Sequence, residues 1–183
     1  MASKINIMLS KRNIFIIAVI LIAAISRLLP HPPNFSPIGA LALFGGAMLS
    51  NRWMGFLVPA TAMLLSDVFI GFHDMMSSVY LSFGLTVLVG FWMGGQIKAG
   101  KVIAASIASS VLFFVITNFH MWVIGNAFYT RDLQGLITCF VAAVPFFANS
   151  FASDLFYSAI LFGSFYIAEK NVPELKLQRI SKN

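Results

Sequence analysis

Apolar residues form long uninterrupted stretches along the chain, in place of the 3.6-residue stripes that leave one face of a surface helix polar. A helix that crosses a bilayer needs about 20 such residues, with roughly 17 to 25 tolerated. On that criterion the stretches are 13–29, 37–50 (short), 53–72, 76–93, 102–124 and a longer C-terminal one, 133–168. The pattern predicts an all-α integral membrane protein.

The C-terminal stretch is too long for a single span and contains Pro145, which is typical of a helix break. It therefore predicts a short re-entrant or interfacial helix before Pro145 and a final span from about 147 to 168. The total is about six transmembrane helices, one of them short. The predicted domains are an N-terminal cytoplasmic segment, 1–12, a single transmembrane domain, 13–168, and a basic cytoplasmic tail, 169–183.

Composition supports lipid as the solvent for most of the surface. Of the 183 residues, 59% are hydrophobic and only 10% are charged, whereas soluble domains carry about 25% charged residues. The single cysteine, Cys139, excludes a disulfide within the chain and lies in an apolar context. No soluble domain is expected.

Basic residues predict the orientation, because cytoplasmic loops and ends of membrane proteins collect Lys and Arg. With both termini inside a bacterial cytoplasmic membrane, ten of the twelve basic residues fall on the inner side: Lys4, Lys11, Arg12, Arg52, Lys98, Lys101, Lys170, Lys176, Arg179 and Lys182. The net charge of +6 thus sets topology, and no nucleic-acid partner is predicted.

Two carboxylates fall within predicted spans, where each costs about 2.5–3.5 kcal/mol to insert and is a functional candidate. Asp67 and Asp154 come from different spans, yet the predicted topology places both in the outer half of the membrane. The same depth and the adjoining outer loops hold further polar side chains. The predicted substrate-binding residues are Arg27, Asn34, Asp67, His73, Asn118, Trp122, Asn149 and Asp154.

Structural roles compete with this interpretation. One alternative is that Asp67 and Arg27 form a buried ion pair that binds no ligand. Asp154 is equally compatible with capping a helix or with a bond to Asn118. Trp122 is typical of the aromatic belt at a membrane surface.

All three histidines fall on the predicted outer side, which raises the alternative of a divalent metal-ion permease that uses His31, His73, Asp74 and His120. No two histidines have the spacing of a known metal motif. The chain also lacks a P-loop, a GxSxG element and a dinucleotide-binding turn. No enzyme activity and no cofactor are predicted, and a metal or a vitamin-like compound would be the substrate.

Small residues four apart allow helices to approach closely. Such pairs are Ala42 with Gly46, Ala104 with Ala108, and Ser106 with Ser110. They indicate either packing within the bundle or docking to another membrane protein. The docking alternative corresponds to a scaffold that transports nothing.

Several segments resemble an uncharacterised bacterial family of small integral membrane proteins to which transport is ascribed. They are 27–47, which contains Leu-Pro-His-Pro-Pro-Asn-Phe-Ser-Pro, 64–73, 116–119 with Trp122, and 139–149 with Asp154. More distantly, the size and topology are similar to those of the S components of energy-coupling-factor vitamin transporters. That resemblance implies uptake of a small molecule, together with a transmembrane coupling protein and ATPases as partners.

Overall fold

The computed structural model describes residues 10–94, 97–125 and 128–176. Within them the chain forms six α-helices: α1 (Lys11–Ser26), α2 (Ile38–Met48), α3 (Arg52–Ile70), α4 (Met76–Met93), α5 (Ala99–Ile124) and α6 (Leu133–Asn171). A short 3₁₀ helix, Pro173–Leu175, follows, and the described part contains no strand. The basic residues Lys4, Arg179 and Lys182 lie outside the described residues.

Four helices, α3 to α6, are long and apolar enough to cross a membrane. Their outward faces carry large apolar side chains, such as Phe69 and Trp53 with 78% and 76% of their surface exposed. A soluble protein rarely exposes apolar surface on this scale. The fold is therefore that of a helical membrane protein, as the sequence predicted.

Helix α2 is the centre of the bundle and contacts each of the other five helices. Every residue from Ala40 to Met48 is buried, and its 11 residues extend only about 16 Å, half the thickness of the hydrocarbon layer. Phe44 packs edge-on against Phe162 of α6 at 5.1 Å between ring centroids. The short second stretch of the sequence is thus a core helix.

The predicted break at Pro145 is wrong, because α6 continues through that proline as one helix of 39 residues. A proline inside a helix removes one hydrogen bond and costs about 3 kcal/mol. Ending the helix within lipid would instead leave several backbone groups unpaired, each costing several kcal/mol. In contrast, the predicted span 76–93 has the same two ends as α4.

Asp132 directly precedes helix α6, and its side chain caps the first turn outside the spanning segments. The N–H of Gly135 donates to the Asp132 carboxylate at 2.7 Å, and the hydroxyl of Thr130 donates to it at 2.7 Å. Both hydrogen bonds favour the ionised form, so the pKa of Asp132 is lowered from its ordinary value.

The bundle has two distinguishable ends. At the first, called here the basic end, α1, α3 and α5 begin and α2, α4 and α6 end. The guanidinium of Arg12 donates to Glu169 at 2.9 Å and to the Leu175 carbonyl at 2.8 Å, which joins the start of α1 to the end of α6. Described basic residues at this end are Lys11, Arg12, Arg52, Lys98, Lys101, Lys170 and Lys176. The opposite end, called here the His73 end, holds Arg27, the loop at His73 and the start of α6.

Between α1 and α2 the backbone is non-helical and runs alongside α6. Asn149 donates to the Pro33 carbonyl at 2.9 Å and Ser153 donates to the Ser36 carbonyl at 3.2 Å. Irregular backbone at membrane depth is tolerated where protein groups satisfy it. Four prolines, Pro30, Pro32, Pro33 and Pro37, also reduce the number of N–H donors that need partners.

Candidate functional site

A cavity of about 490 Å³ opens at the His73 end, between the segment 27–38 and helices α3 to α6. Its volume lies within the range of small-molecule sites, roughly 300–1,000 Å³. The side chains of His31, Asn34 and His73 stand exposed at its mouth. Its walls are largely apolar and aromatic, with Ile38, Ile70, Met75, Val79, Phe113, Phe114, Met121, Ala143, Phe146 and Phe147.

Arg27 is the charged residue of the cavity lining. It follows the last residue of α1 and forms an ion pair with Asp67 of α3. Its Nη1 also donates to the hydroxyl of Ser66 and to the Met63 carbonyl. Among the described residues Nη1 makes all these contacts, which leaves the edge formed by Nε and Nη2 without a protein partner.

Asp67 does not line the cavity, because it is 1% exposed and lies behind Arg27. Its second oxygen accepts a hydrogen bond from the hydroxyl of Tyr80 at 2.8 Å. The buried ion pair that the sequence left open is therefore present. Asp67 holds Arg27 in place and is shielded from any ligand in the cavity.

Asn34 and Asn118 meet at the cavity from different elements. Asn34 has a φ of 60°, the only positive value of a non-glycine residue in the described part, and asparagine adopts this left-handed conformation more readily than most residues do. The amide nitrogen of Asn118 donates to the Phe114 carbonyl at 2.7 Å. Its amide oxygen and the second N–H of its amide group remain to serve a ligand.

Three other predicted site residues have structural partners and do not line the large cavity. The ring nitrogen of Trp122 donates to the Thr130 carbonyl at 2.9 Å, and Asn149 holds the backbone at Pro33. Asp154 is 6% exposed and accepts from Ser110 at 2.6 Å. It also accepts from the backbone N–H of Ala40 and so caps the start of α2.

The alternative metal ligands do not form a site among the described residues, where no three His, Cys, Asp or Glu side chains lie close enough to share a metal ion. His31 and His73 both reach the cavity mouth, and the exposed Asp74 is not part of its lining. His120 instead contacts the hydroxyl of Ser78 at 2.9 Å.

The aromatic and small polar residues that α5 and α6 contribute to the cavity lining were not predicted from the sequence. Ala143, Phe146, Phe147 and Ser150 recur at intervals of three and four residues, as do Phe113, Thr117 and Met121. Those intervals place each set on one face of its helix. They were overlooked because apolar stretches in a membrane protein carry no polar face against which such a pattern stands out.

The small-residue pairs divide between interior and surface. Ala42 and Gly46 are buried, and a Cβ on Gly46 would collide with the Val87 carbonyl of α4. Ser106 and Ser110 are buried too, whereas Ala104 and Ala108 are exposed. The Ala42–Gly46 and Ser106–Ser110 pairs therefore serve packing within the bundle.

A bundle of apolar helices with a cavity at one end defines a helical membrane protein with a candidate small-molecule site. The chain belongs to the family of unknown function DUF6580, whose model matches residues 8–175. The expected membership of an uncharacterised family is thereby confirmed. No curated protein and no solved structure gave a significant match, so the likeness to S components stays a prediction.

Proposed function

We propose that the protein binds a small organic solute in the cavity at the His73 end and acts as a substrate-binding component for its uptake. The observation that carries the proposal is the cavity of about 490 Å³ whose one charged anchor, Arg27, is held from behind by Asp67. A vitamin-like compound has the size and mixed polarity that such a cavity accepts.

The lining favours a ligand with an apolar body and a carboxylate. No acidic residue is among the described lining residues, while Arg27, His31 and His73 supply donors. Phe114 and Phe147, with ring centroids 4.7 Å apart, offer a surface for an aromatic or aliphatic ring. The amide oxygen of Asn118 would accept from a hydroxyl or amine of the same ligand.

The free edge of Arg27 suits a carboxylate in particular. Nε and Nη2 present two parallel N–H groups, the geometry that binds both oxygens of a carboxylate at once. Since Asp67 already fixes Nη1, the guanidinium is oriented before the ligand arrives. Such preorganisation lowers the entropy cost of binding.

The proposed setting is a bacterial cytoplasmic membrane, with the basic end and both termini in the cytoplasm. The clustering of the described basic residues at one end supports this orientation. The cavity would then open to the outside. Energy would come from a partner or an ion gradient, and a coupling protein with ATPases is the partner that the likeness to S components suggests.

Native mass spectrometry of the detergent-purified protein tests the proposal directly. We expect a retained adduct of a few hundred daltons, or, if the ligand is lost in purification, thermal stabilisation by members of a panel of small carboxylic acids. Arg27→Lys keeps the charge that faces Asp67 but loses the forked edge. It should lower ligand affinity about 10-fold or more.

Arg52→Lys is the matched control, because it makes the same change at the basic end, far from the cavity. It should leave adduct and stabilisation unchanged. The proposal fails if the wild-type protein neither retains an adduct nor responds to any carboxylic acid. Equal ligand binding by the Arg27→Lys variant would remove the role assigned to the guanidinium.

Nothing in the described part of the chain favours a metal permease or a scaffold as a second candidate function. The metal alternative needs a cluster of ligands that the described residues do not form. The scaffold alternative keeps only Ala104 and Ala108 as an exposed small-residue face.

A further inference from the structure

A second, smaller cavity of about 70 Å³ lies deeper in the bundle, at the first turn of α2. It shares Asn34, Ser36, Ile38, Phe113 and Ser150 with the large cavity. Its volume accepts a small ion or a water molecule but no organic ligand. Its remaining lining residues are Gly39, Phe83, Thr86, Ser109, Ser153 and Asp154.

Asp154 contributes the carboxyl group of this cavity's lining, and no basic side chain of the described part pairs with it. The ion pairs within the described residues involve Glu174, Glu169 and Asp67. Among the described residues, the donors to Asp154 are the hydroxyl of Ser110 and the N–H of Ala40. A helix N-terminus carries roughly half a positive charge, so the start of α2 offsets only part of the carboxylate.

The hydroxyl groups around the cavity have already donated their protons to backbone carbonyls. Thr86 donates to Ser82, Ser109 to Ala105, and Ser150 to Phe146. A hydroxyl has one proton and two lone pairs, so each of these oxygens can offer the cavity only lone pairs. These three hydroxyls therefore offer the cavity acceptor oxygens beside the carboxyl group of Asp154.

Ser36 adds an independent observation at the same cavity. Its hydroxyl oxygen is buried and has no hydrogen-bond partner. An unsatisfied buried hydroxyl costs about 1–3 kcal/mol and calls for an explanation. A cap on α2 accounts for Asp154 alone. It explains neither the unpaired hydroxyl of Ser36 nor the gathering of three further hydroxyls at the same cavity.

We propose that the small cavity binds Na⁺, with Asp154 and the hydroxyl oxygens of Ser36, Thr86 and Ser109 among its ligands. All these donors are oxygens, which hard cations prefer over transition metals. A single carboxylate balances a monovalent ion and is fewer than Ca²⁺ sites use. The ion would tie the segment 34–39 to α4, α5 and α6.

The inference goes beyond the proposed function and does not depend on it, because Na⁺ binding is measurable without an organic ligand. If the protein binds both Na⁺ and an organic ligand, the two cavities are coupled, because Asn34 and Ser36 line both of them. Na⁺ would then raise ligand affinity, and the ligand would raise Na⁺ affinity by the same factor.

Equilibrium binding of radioactive sodium to the purified full-length protein, with choline chloride keeping ionic strength constant, tests the proposal. We expect saturable binding of a single ion per chain, lost in Asp154→Asn. Ser109→Ala should weaken Na⁺ affinity about five-fold, the effect of one lost polar contact. Ser164→Ala is its matched control, because Ser164 makes the same kind of bond to Leu161 but is exposed.

Asp132→Asn is the control for the carboxylate, since it changes an exposed Asp that is not part of the cavity. If Asp154→Asn does not fold, the comparison of Ser109→Ala with Ser164→Ala decides alone. The proposal is overturned if sodium binding does not saturate or if Ser109→Ala and Ser164→Ala bind it equally. It is also overturned if Asp154 takes up a proton, seen as an infrared carboxylic acid band, while sodium does not bind.

Discussion

Arg12 shows how a single residue joins distant parts of this chain. It is 5% exposed and reaches Glu169, the Leu175 carbonyl and, at 3.5 Å, the Met48 carbonyl. Its guanidinium also lies 4.7 Å from the centroid of the Phe165 ring. The start of α1 and the ends of α2 and α6 therefore share one cation.

Replacing Arg12 by Ala should lower the thermal midpoint of the detergent-solubilised protein by roughly 5–10 °C, because it leaves partly buried acceptors without their cation. Cys139, buried and unique in the sequence, provides the readout. A thiol-reactive dye should label it only on unfolding.

Lys11→Ala is the control for this measurement, since the Lys11 pair with Glu174 is largely exposed and its loss should shift the midpoint by no more than about 2 °C. Equal shifts for the two variants would show that burial of the Arg12 cluster contributes nothing.

At the same scale, the polar residues that the sequence grouped do not all face one cavity. Arg27, Asn34, His73 and Asn118 do meet at one cavity. Asp67 and Asp154 face protein partners instead. Hydropathy gives the position of a residue along the membrane normal, but its rotation about the helix axis depends on packing that no apolar stretch encodes.

Among the elements, α2 and α4 approach each other through glycines. A Cβ on Gly90 of α4 would lie 2.5 Å from the Leu43 carbonyl oxygen and 2.9 Å from the Ala47 nitrogen, both backbone atoms of α2. Backbone atoms cannot rotate out of the way. The two helices would have to separate to admit a methyl group.

Gly90→Ala should therefore destabilise the protein by about 1–3 kcal/mol, the usual cost of overpacking. Gly84→Ala, on the same helix but with open space at its Cβ position, should be neutral or stabilising by up to about 1 kcal/mol. Chemical or thermal unfolding followed by Cys139 labelling measures both. A Gly90→Ala variant as stable as Gly84→Ala would contradict the close approach.

A helix could be predicted from the sequence where its own residues and their immediate neighbours determine its two ends. Helix α4 follows directly from its apolar stretch and its flanking residues. Helix α6 does not, because whether Pro145 kinks or ends a helix depends on the surrounding lipid and protein. The central position of α2 is a tertiary property that its length alone only suggested.

For the whole molecule, the distribution of charge makes the orientation testable. In a Cys139→Ala background, cysteine substituted for Asp74, exposed at the His73 end, should react in intact cells with a maleimide that cannot cross membranes. Cysteine substituted for Lys98, exposed at the basic end, should react only after the cells are permeabilised. The reverse pattern would place the cavity on the cytoplasmic side.

The hydrogen bonds from α6 to the segment before α2 have a consequence for biogenesis. Asn149 and Ser153 follow their acceptors, Pro33 and Ser36, by 116 and 117 residues. During synthesis the first four helices thus leave the ribosome before the groups that satisfy this segment exist. One wall of the cavity is completed only when the last helix has been inserted.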